Sequence, residues 1–140
     1  MKYLLDTCVL SELVKKKPNR GVIAWLETID EISLCLSVVS FGELQKGISK
    51  LPDSRRRRTL QSWVDEELTL RFAGRTLDID RRVASRWGEL SGNAERKGRK
   101  IPVLDGFLAA TALEAGLTVV TESVEHFGQT ECSVLNPWER

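Results

Sequence analysis

The chain has 140 residues, which suffices for one domain with a substantial core and is too short for two. Apolar residues make up 41% and charged residues 29% of the chain, the mixture of an ordinary globular protein. The net charge of +1 indicates no class of partner, so any contact with nucleic acid must depend on local clusters of basic residues.

Short β-rich runs alternate with longer helical patterns, which predicts βαβ units and a parallel sheet. The β-rich runs are almost continuously apolar, as expected for strands that are covered on both faces. We therefore predict an α/β fold in a single domain, residues 1–140, without a linker. The predicted strands, in chain order, are Lys2–Leu5, Ile32–Ser37, a weaker pattern at Arg75–Leu77, Thr118–Thr121 and Ser133–Leu135.

Helical periodicity fills the segments between the predicted strands. Ser40-Phe-Gly-Glu43 has the pattern of a capping box, which predicts a helix start at Ser40. Gly116 is typical of a residue that ends a helix. The predicted helices are Val9–Val14, Val22–Ile29, one from Ser40 to about Lys50, a long one from Pro52 to about Arg71, one from Asp80 to about Lys97, and Asp105–Ala115.

The cysteines and the N-terminus predict a cytoplasmic protein. Cys8, Cys35 and Cys132 are odd in number and lack a C-x-x-C spacing, which argues against a disulfide framework or a structural zinc site. Asp6 interrupts the N-terminal apolar run, so this run is not a signal peptide. No apolar run approaches the length that spans a bilayer, and we expect no membrane partner.

Three carboxylates lie where predicted strands end or in the helices that follow. Asp6 directly follows the first strand, Glu43 lies within one helical turn of the second, and Asp105 opens the last predicted helix. Ligands of open parallel sheets bind just beyond the carboxyl ends of the strands. Three carboxylates that converge there would repel one another unless a cation lies between them.

Each of these residues also has a purely structural interpretation. Asp6 could cap the first helix, Glu43 could be the second member of a capping box, and Asp105 could be a first-turn residue favoured by the helix dipole. Serine or asparagine would cap equally well, whereas a metal site needs charge, so the joint pattern favours a site for a hard divalent cation. Without a candidate covalent nucleophile, it indicates phosphodiester hydrolysis by an activated water.

Five segments in a fixed order span nearly the whole chain and carry a family resemblance. They are Leu4-Leu-Asp-Thr-Cys-Val-Leu-Ser-Glu-Leu13, Leu36-Ser-Val-Val-Ser-Phe-Gly-Glu-Leu-Gln-Lys-Gly47, Arg86-Trp-Gly-Glu-Leu90, Ile101-Pro-Val-Leu-Asp-Gly-Phe-Leu-Ala-Ala-Thr-Ala112 and Val134-Leu-Asn-Pro-Trp138. In these segments the chain resembles PIN-domain proteins, specifically the VapC-type toxin ribonucleases of bacterial type II toxin–antitoxin systems.

The resemblance implies a fold, an activity and a set of site residues. The fold is a three-layer α/β/α sandwich with a central, mainly parallel sheet, here of four to five strands. The activity is metal-dependent cleavage of RNA, with Mg²⁺ or Mn²⁺ held by four acidic residues. Asp6 and Asp105 would be direct metal ligands, and Glu43 would bind through water or help to activate the attacking water. Thr7 and Thr121 would line the site.

The chain departs from the family pattern at the fourth acidic residue. Thr121-Glu-Ser-Val-Glu-His126-Phe127 has histidine where the last aspartate is expected. Three interpretations stay open. Glu122 could replace the missing acid if residues 122 and 126 share one helical face. His126 could itself join the site and shift its metal preference towards Mn²⁺, iron or zinc. The site could also be weakened, which would leave a domain that acts by binding.

Two clusters of basic residues are candidates for external contacts. Arg55–Arg58 is a solvated helix start or a contact for either RNA phosphate or an acidic partner. The second cluster precedes Asp105, and we expect it to contact the RNA backbone; it consists of Arg96, Lys97, Arg99 and Lys100.

The resemblance further implies partners. These are an RNA substrate, a small antitoxin in an apolar groove, and a second copy in a homodimer or in a larger assembly with the antitoxin. DNA would be contacted only through the antitoxin. Within the sequence, the helices of residues 8–28 and 40–50 are consistent with such a groove.

Two other functions compete with a toxin ribonuclease. Receiver and dehalogenase domains also cluster acids at strand ends, but they require a lysine on a late strand, and no lysine follows Lys100. A degenerate PIN domain that binds its antitoxin and co-represses their promoter is the second alternative. The sequence leaves open the RNA target and cleavage sequence, the preferred metal, the identity of the antitoxin and the size of the assembly.

Overall fold

A five-stranded parallel sheet forms the centre of the computed structural model, which describes residues 1–139. The strand order β3-β2-β1-β4-β5 places β1 in the middle, and each neighbouring pair is parallel. The predicted parallel sheet is therefore confirmed, with each strand one or two residues shorter than expected. The strands are β1 Tyr3–Leu5, β2 Leu34–Ser37, β3 Thr76–Leu77, β4 Thr118–Val120 and β5 Val134–Leu135.

Helices connect the strands and cover both faces of the sheet. They are α1 Thr7–Leu13, α2 Arg20–Glu27, α3 Val38–Ser49, α4 Arg55–Ser62, a π-helical segment Trp63–Leu68 that continues into α5 Thr69–Arg71, α6 Arg81–Arg96 and α7 Val103–Ala115. Short 3₁₀ turns are formed by Glu31–Ser33, Val124–Phe127 and Pro137–Glu139. Across residues 1–139, none of the helices combines the length and the apolar character that crossing a bilayer requires.

Alternation along the strands builds two cores, one on each face of the sheet. Leu5 on β1 points into a core formed with α1–α5, whereas its neighbour Leu4 points into a second core formed with α7. Helices on both faces of one sheet make three layers, so the predicted α/β/α sandwich is confirmed. The first core contains Leu5, Val9, Leu10, Val22, Trp25, Leu34, Leu36, Leu44, Ile48, Val64, Leu68, Phe72 and Val120, and the second contains Leu4, Cys35, Leu108, Ala109, Ala112, Leu117, Val119 and Phe127.

Among the predicted helix starts that differ from the structure, two involve site residues. The capping box at Ser40 does not form, because β2 runs directly into α3 and the Ser37 hydroxyl accepts a hydrogen bond from the Val39 N–H at 3.1 Å. Ser40 therefore lies buried inside α3. α7 begins at Val103 rather than at Asp105, because Pro102 precedes it with a φ of −54° and can open a helix. Asp105 consequently lies within the first turn of α7.

The long helix predicted from Pro52 is also shorter and interrupted. Ser54 caps α4 by accepting a hydrogen bond from the Arg57 N–H at 3.2 Å, so the helix starts at Arg55. The backbone then widens into the π-helical segment, where the Thr69 hydroxyl donates to the Val64 carbonyl oxygen at 2.8 Å. This segment keeps Val64 and Leu68 buried in the first core.

Gly106 is required where α7 packs against α6. A Cβ atom at this position would lie 2.9 Å from Cδ1 of Trp87, whose ring stacks on Phe107 with centroids 4.8 Å apart. We expect Gly106→Ala to lower the free energy of unfolding by about 1–3 kcal/mol, because the stacked indole or the helix must move. Urea denaturation measures the effect.

Gly88 on the exposed face of α6 is the matched control. No atom lies within 4 Å of a Cβ built there, so Gly88→Ala should raise the free energy of unfolding by about 0.5–1 kcal/mol through helix propensity. Effects of the same sign for the two substitutions would contradict the role assigned to the Gly106–Trp87 contact.

Candidate active site

The carboxyl edge of the sheet brings three chain segments together. Asp6 directly follows β1, and its backbone N–H donates to the Val120 carbonyl oxygen at 2.9 Å, which extends the β1–β4 ladder by one residue. Thr121 directly follows β4, and α3, which carries Glu43, directly follows β2. Asp6, Glu43 and Thr121 therefore lie at the carboxyl edge of the sheet, where the sequence predicted the site.

Asp6 is buried, with 7% of its surface exposed, and hydrogen bonds hold both of its carboxylate oxygens. Oδ1 accepts from the Thr7 N–H at 2.7 Å, and Oδ2 accepts from the Thr121 hydroxyl at 2.7 Å. The Thr121 oxygen in turn accepts from the Ser123 N–H at 3.0 Å. Asp6 thus caps α1 and is also held rigidly at the centre of the site, so the structural and functional interpretations are compatible.

Glu43 reaches towards Asp6 from the neighbouring helix. Its Oε1 accepts a hydrogen bond from the Thr7 hydroxyl at 2.7 Å. Burial raises the pKa of the Glu43 carboxyl and the negative charges of Asp6 and Asp105 raise it further, whereas the Thr7 hydrogen bond acts in the opposite direction. Thr7 therefore bridges two acidic residues, with its backbone on Asp6 and its hydroxyl on Glu43.

Asp105 completes the acidic group from the first turn of α7. Burial raises the pKa of its carboxyl, and the charge of Asp6 raises it further. The Nδ1 atom of His126 lies 2.8 Å from Asp105 Oδ2, and this contact lowers the pKa of the carboxyl. The histidine that replaces the expected fourth acid therefore lies against one of the other three.

The charge of Asp6 acts on both Glu43 and Asp105, so the three carboxylates share one electrostatic environment. Their oxygen atoms are the ligands that Mg²⁺ and Mn²⁺ prefer, and a cation would relieve their mutual repulsion. In residues 1–139, however, no three side chains among His, Cys, Asp and Glu are grouped closely enough to hold an ion as they stand. The donor set fits a hard divalent cation in kind, and binding would require the carboxylates to draw closer.

Glu122 is not placed as the sequence interpretation required. It precedes the 3₁₀ turn Val124–Phe127, so residues 122 and 126 do not share a helical face and the expected i, i+4 relation was wrong. Its side chain is exposed, and its negative charge acts on Lys15. Compensation for the missing acid by Glu122 consequently has no support from this geometry.

Two residues at the site were missed by the sequence analysis. The Cys8 thiol lies 3.7 Å from Asp6 Oδ2 and 3.6 Å from the Thr121 hydroxyl, and burial together with the Asp6 charge raises its pKa to about 11. The thiol is therefore uncharged at neutral pH. Lys46 is exposed one turn after Glu43, and its charge lowers the pKa of that carboxyl. The i, i+3 spacing from Glu43 was the only available signal for Lys46.

The basic cluster before Asp105 lies on the surface next to α7. Arg96 ends α6, and Lys97, Arg99 and Lys100 follow it in the loop that leads to α7. All four side chains are exposed. Arg99 donates to the Gln129 side-chain oxygen at 2.8 Å, which ties this loop to the segment after the His126 turn.

A groove of about 540 Å³ lies along α4 and the π-helical segment. The sequence predicted a groove along the helices of residues 8–28 and 40–50. Of the residues that line the observed groove, only Val14, directly after α1, belongs to those ranges. Apolar side chains line it together with charges of both signs. The lining residues are Val14, Arg55, Arg58, Thr59, Leu60, Ser62, Trp63, Glu66 and Glu67.

The chain is thus a three-layer α/β protein with a parallel central sheet and acidic side chains at the carboxyl edge of that sheet. The chain matches the PIN domain family over residues 3–123, and it belongs to that family. The remaining described residues extend the same sheet, because β5 pairs with β4.

Relatives and solved structures match the chain over nearly its whole length. Toxin FitB of Neisseria gonorrhoeae is 34% identical over 135 residues, 96% of this chain and 97% of FitB. VapC ribonuclease Y4jK of Sinorhizobium fredii is 35% identical over 136 residues, 97% of each chain. The crystal structure of FitAcB from N. gonorrhoeae superposes with a TM-score of 0.92 at 33% identity, covering 99% of both chains. VapBC2 from Rickettsia felis, bound to a DNA fragment from its promoter, gives a TM-score of 0.80 at 26% identity and covers 97% of this chain and 98% of that chain.

Proposed function

We propose that the protein is a divalent-metal-dependent endoribonuclease that acts as the toxin of a toxin–antitoxin pair. The convergence of Asp6, Glu43 and Asp105 at one sheet edge carries this proposal. Burial raises the pKa of the Glu43 and Asp105 carboxyls, and the charge of Asp6 raises both further. The names of the relatives, toxin FitB and VapC ribonuclease Y4jK, support it.

Asp6 and Asp105 would hold Mg²⁺ or Mn²⁺, and Glu43 would bind through water or orient the attacking water. When bound, such an ion supplies positive charge that stabilises the phosphodiester transition state and acidifies water. Glu43 is suited to accept a proton, because its raised pKa brings the carboxyl closer to neutral pH. The Thr7 hydroxyl holds Glu43 in place for this role.

The surface next to the carboxylates is suited to bind the RNA backbone. The four basic side chains of residues 96–100 are exposed beside the helix that carries Asp105, and they would contact phosphates. Lys46 adds a positive charge one helical turn after Glu43. Together these cations would offset the repulsion between RNA and the acidic site.

We further propose a small antitoxin, a second copy of the chain and promoter DNA as partners, with DNA contacted only through the antitoxin. The solved relatives support this, since they include FitAB bound to a DNA fragment and VapBC2 bound to a fragment of its promoter. The groove along α4 would receive the antitoxin, because it combines an apolar floor with charges of both signs. The three free cysteines agree with a reducing cytoplasm. We propose that residues 1–140 form one domain.

Cleavage of a mixed RNA pool by the purified chain, free of antitoxin, tests the proposal. We expect cleavage with Mg²⁺ or Mn²⁺, none with chelator, and loss of cleavage in Asp6→Asn and Asp105→Asn. Absence of cleavage with every metal, in a folded chain that still binds its antitoxin, would instead support a degenerate domain that acts by binding. The contact between His126 and Asp105 keeps this second function under consideration, because position 126 adds no carboxylate.

Glu43→Gln should stabilise the metal-free protein at neutral pH. A carboxyl whose pKa is raised by folding contributes stability below its unfolded pKa of about 4.3, and this stability is lost as the pH rises through the folded pKa. Glutamine keeps the acceptor for the Thr7 hydroxyl but removes the charge. We therefore expect a higher Tm than wild type at pH 7.5 in chelator, and no difference at pH 4.

Exposed Glu95 on α6 provides the control for this measurement. At each of the two pH values, Glu95→Gln should have the same Tm in chelator as wild type. A lower Tm for Glu43→Gln than for wild type at pH 7.5 would show that ionised Glu43 stabilises the metal-free fold, contrary to the repulsion inferred for the site.

A further inference from the structure

His126 is the only histidine of the chain, and its ring contacts the acidic site directly. Nδ1 lies 2.8 Å from Asp105 Oδ2, and Nε2 lies 3.8 Å from Glu125 Oε1. Each ring nitrogen therefore faces a carboxylate oxygen. Neither contact is with Asp6 or Glu43, the other two members of the acidic group.

The backbone around His126 holds the ring in this position. His126 lies in the 3₁₀ turn Val124–Phe127, and its N–H donates to the Ser123 carbonyl oxygen at 3.1 Å. The next residue, Phe127, is 2% exposed and anchors the turn in the core beneath α7. The Thr130 hydroxyl donates to the Phe127 carbonyl oxygen at 2.6 Å and closes the turn. Packing and backbone hydrogen bonds thus fix the turn, and the hydrogen bond of Nδ1 holds the exposed imidazole against Asp105.

We propose that His126 is a positioning residue for Asp105 and is not a metal ligand. An ionised carboxylate only accepts hydrogen bonds, so Nδ1 must carry the proton in the contact with Asp105 Oδ2. Nδ1 is then unavailable to a metal, and Nε2, the nitrogen that keeps a free lone pair, lies 3.8 Å from Glu125 Oε1 instead of facing Asp6 or Glu43. This inference rests on the proposed metal-dependent function, and it assigns to position 126 the task of fixing the orientation of a carboxylate.

The role of His126 determines which kind of ion the site selects. Without a nitrogen ligand, the donor set consists of oxygen atoms, which suit Mg²⁺ and Mn²⁺ rather than zinc. A hydrogen bond that orients a metal-binding side chain contributes about 10-fold or more to metal affinity. His126 therefore tunes affinity through Asp105 while leaving the preference for hard cations intact.

Nitrogen NMR of the metal-free protein tests the hydrogen bond itself. Because the chain has one histidine, ¹⁵N-labelled protein gives a single pair of ring signals, measured at a pH where the ring is neutral. We expect the Nδ1–H tautomer in wild type, and a shift to the Nε2–H tautomer that free histidine favours in Asp105→Ala. The Nε2–H tautomer in wild type would overturn the proposal. This readout needs neither metal nor RNA, so it is independent of whether the protein is a nuclease.

Metal binding by His126 variants tests the consequence. The asparagine amide nitrogen replaces Nδ1, whereas the glutamine amide nitrogen reaches the position of Nε2. We expect Mg²⁺ affinity, measured by calorimetry, to be close to wild type in His126→Asn and to fall about 10-fold in His126→Ala and His126→Gln. Retention in His126→Gln with loss in His126→Asn would contradict the proposal. So would a loss of Zn²⁺ affinity in His126→Ala much larger than the loss of Mg²⁺ affinity, because this identifies the imidazole as a ligand.

Discussion

Asp6→Asn should lower the rate of metal-dependent RNA cleavage by at least about 100-fold, since even an indirect partner of a metal ligand contributes about 10–100-fold. Asp6 is the most buried of the three acidic residues, and its charge acts on both of the others. Asparagine has the same shape and keeps the oxygen that accepts from the Thr7 N–H, so the cap of α1 is preserved. The loss therefore reports on charge and not on folding.

Single-turnover cleavage at saturating Mg²⁺, with circular dichroism of the same preparation, measures this effect. Asp65→Asn is the matched control, because Asp65 is exposed on the π-helical segment and its carboxylate accepts from the Gln61 amide, away from the acidic site. Its cleavage rate should equal that of wild type. Cleavage by Asp6→Asn at the wild-type rate would remove Asp6 from the site and with it the main support for a metal-dependent nuclease.

Leu68→Ala should lower the free energy of unfolding by about 2–5 kcal/mol. Leu68 is 2% exposed and lies in the first core, on the π-helical segment. Truncation removes apolar surface that is shielded from water and leaves a cavity that the surrounding side chains fill only in part. Urea denaturation with a constant m-value measures the change, and the lost stability should appear at every pH from 6 to 9 because no charge is involved.

Leu70 makes the comparison unusually direct, since it lies two residues further along the same segment and is 76% exposed. The same substitution, Leu70→Ala, should change the free energy of unfolding by no more than about 0.5 kcal/mol. Similar effects at the two positions would contradict the placement of the π-helical segment, because a regular α-helix through residues 63–71 would present different side chains to the core.

The succession of elements was predictable from local sequence, whereas several boundaries were not. Apolar runs such as Leu34–Ser37 fix where strands form, because strands buried on both faces need them. The start of α3 was predicted wrongly because Ser37 and Ser40 are both good caps, and only the length of β2 decides which of them is used. The π-helical segment was also missed, because its wider turn depends on which side chains the core accepts.

The sequence by itself determined the fold class and the family, and it predicts Asp6, Glu43 and Asp105 as the acidic group of the site. Asp6 directly follows β1, Glu43 lies in the helix after β2, and Asp105 lies in the first turn of α7. In a parallel sheet the carboxyl ends of the strands meet at one edge for topological reasons. The tertiary structure alone decided which side chains pair there. The hydroxyl of Thr7 reaches Glu43, the Cys8 thiol faces the Thr121 hydroxyl, and His126 lies against Asp105. These pairings join residues on separate elements, so they depend on how α3, α7 and the 3₁₀ turn Val124–Phe127 pack around the sheet. No local pattern in the chain encodes them.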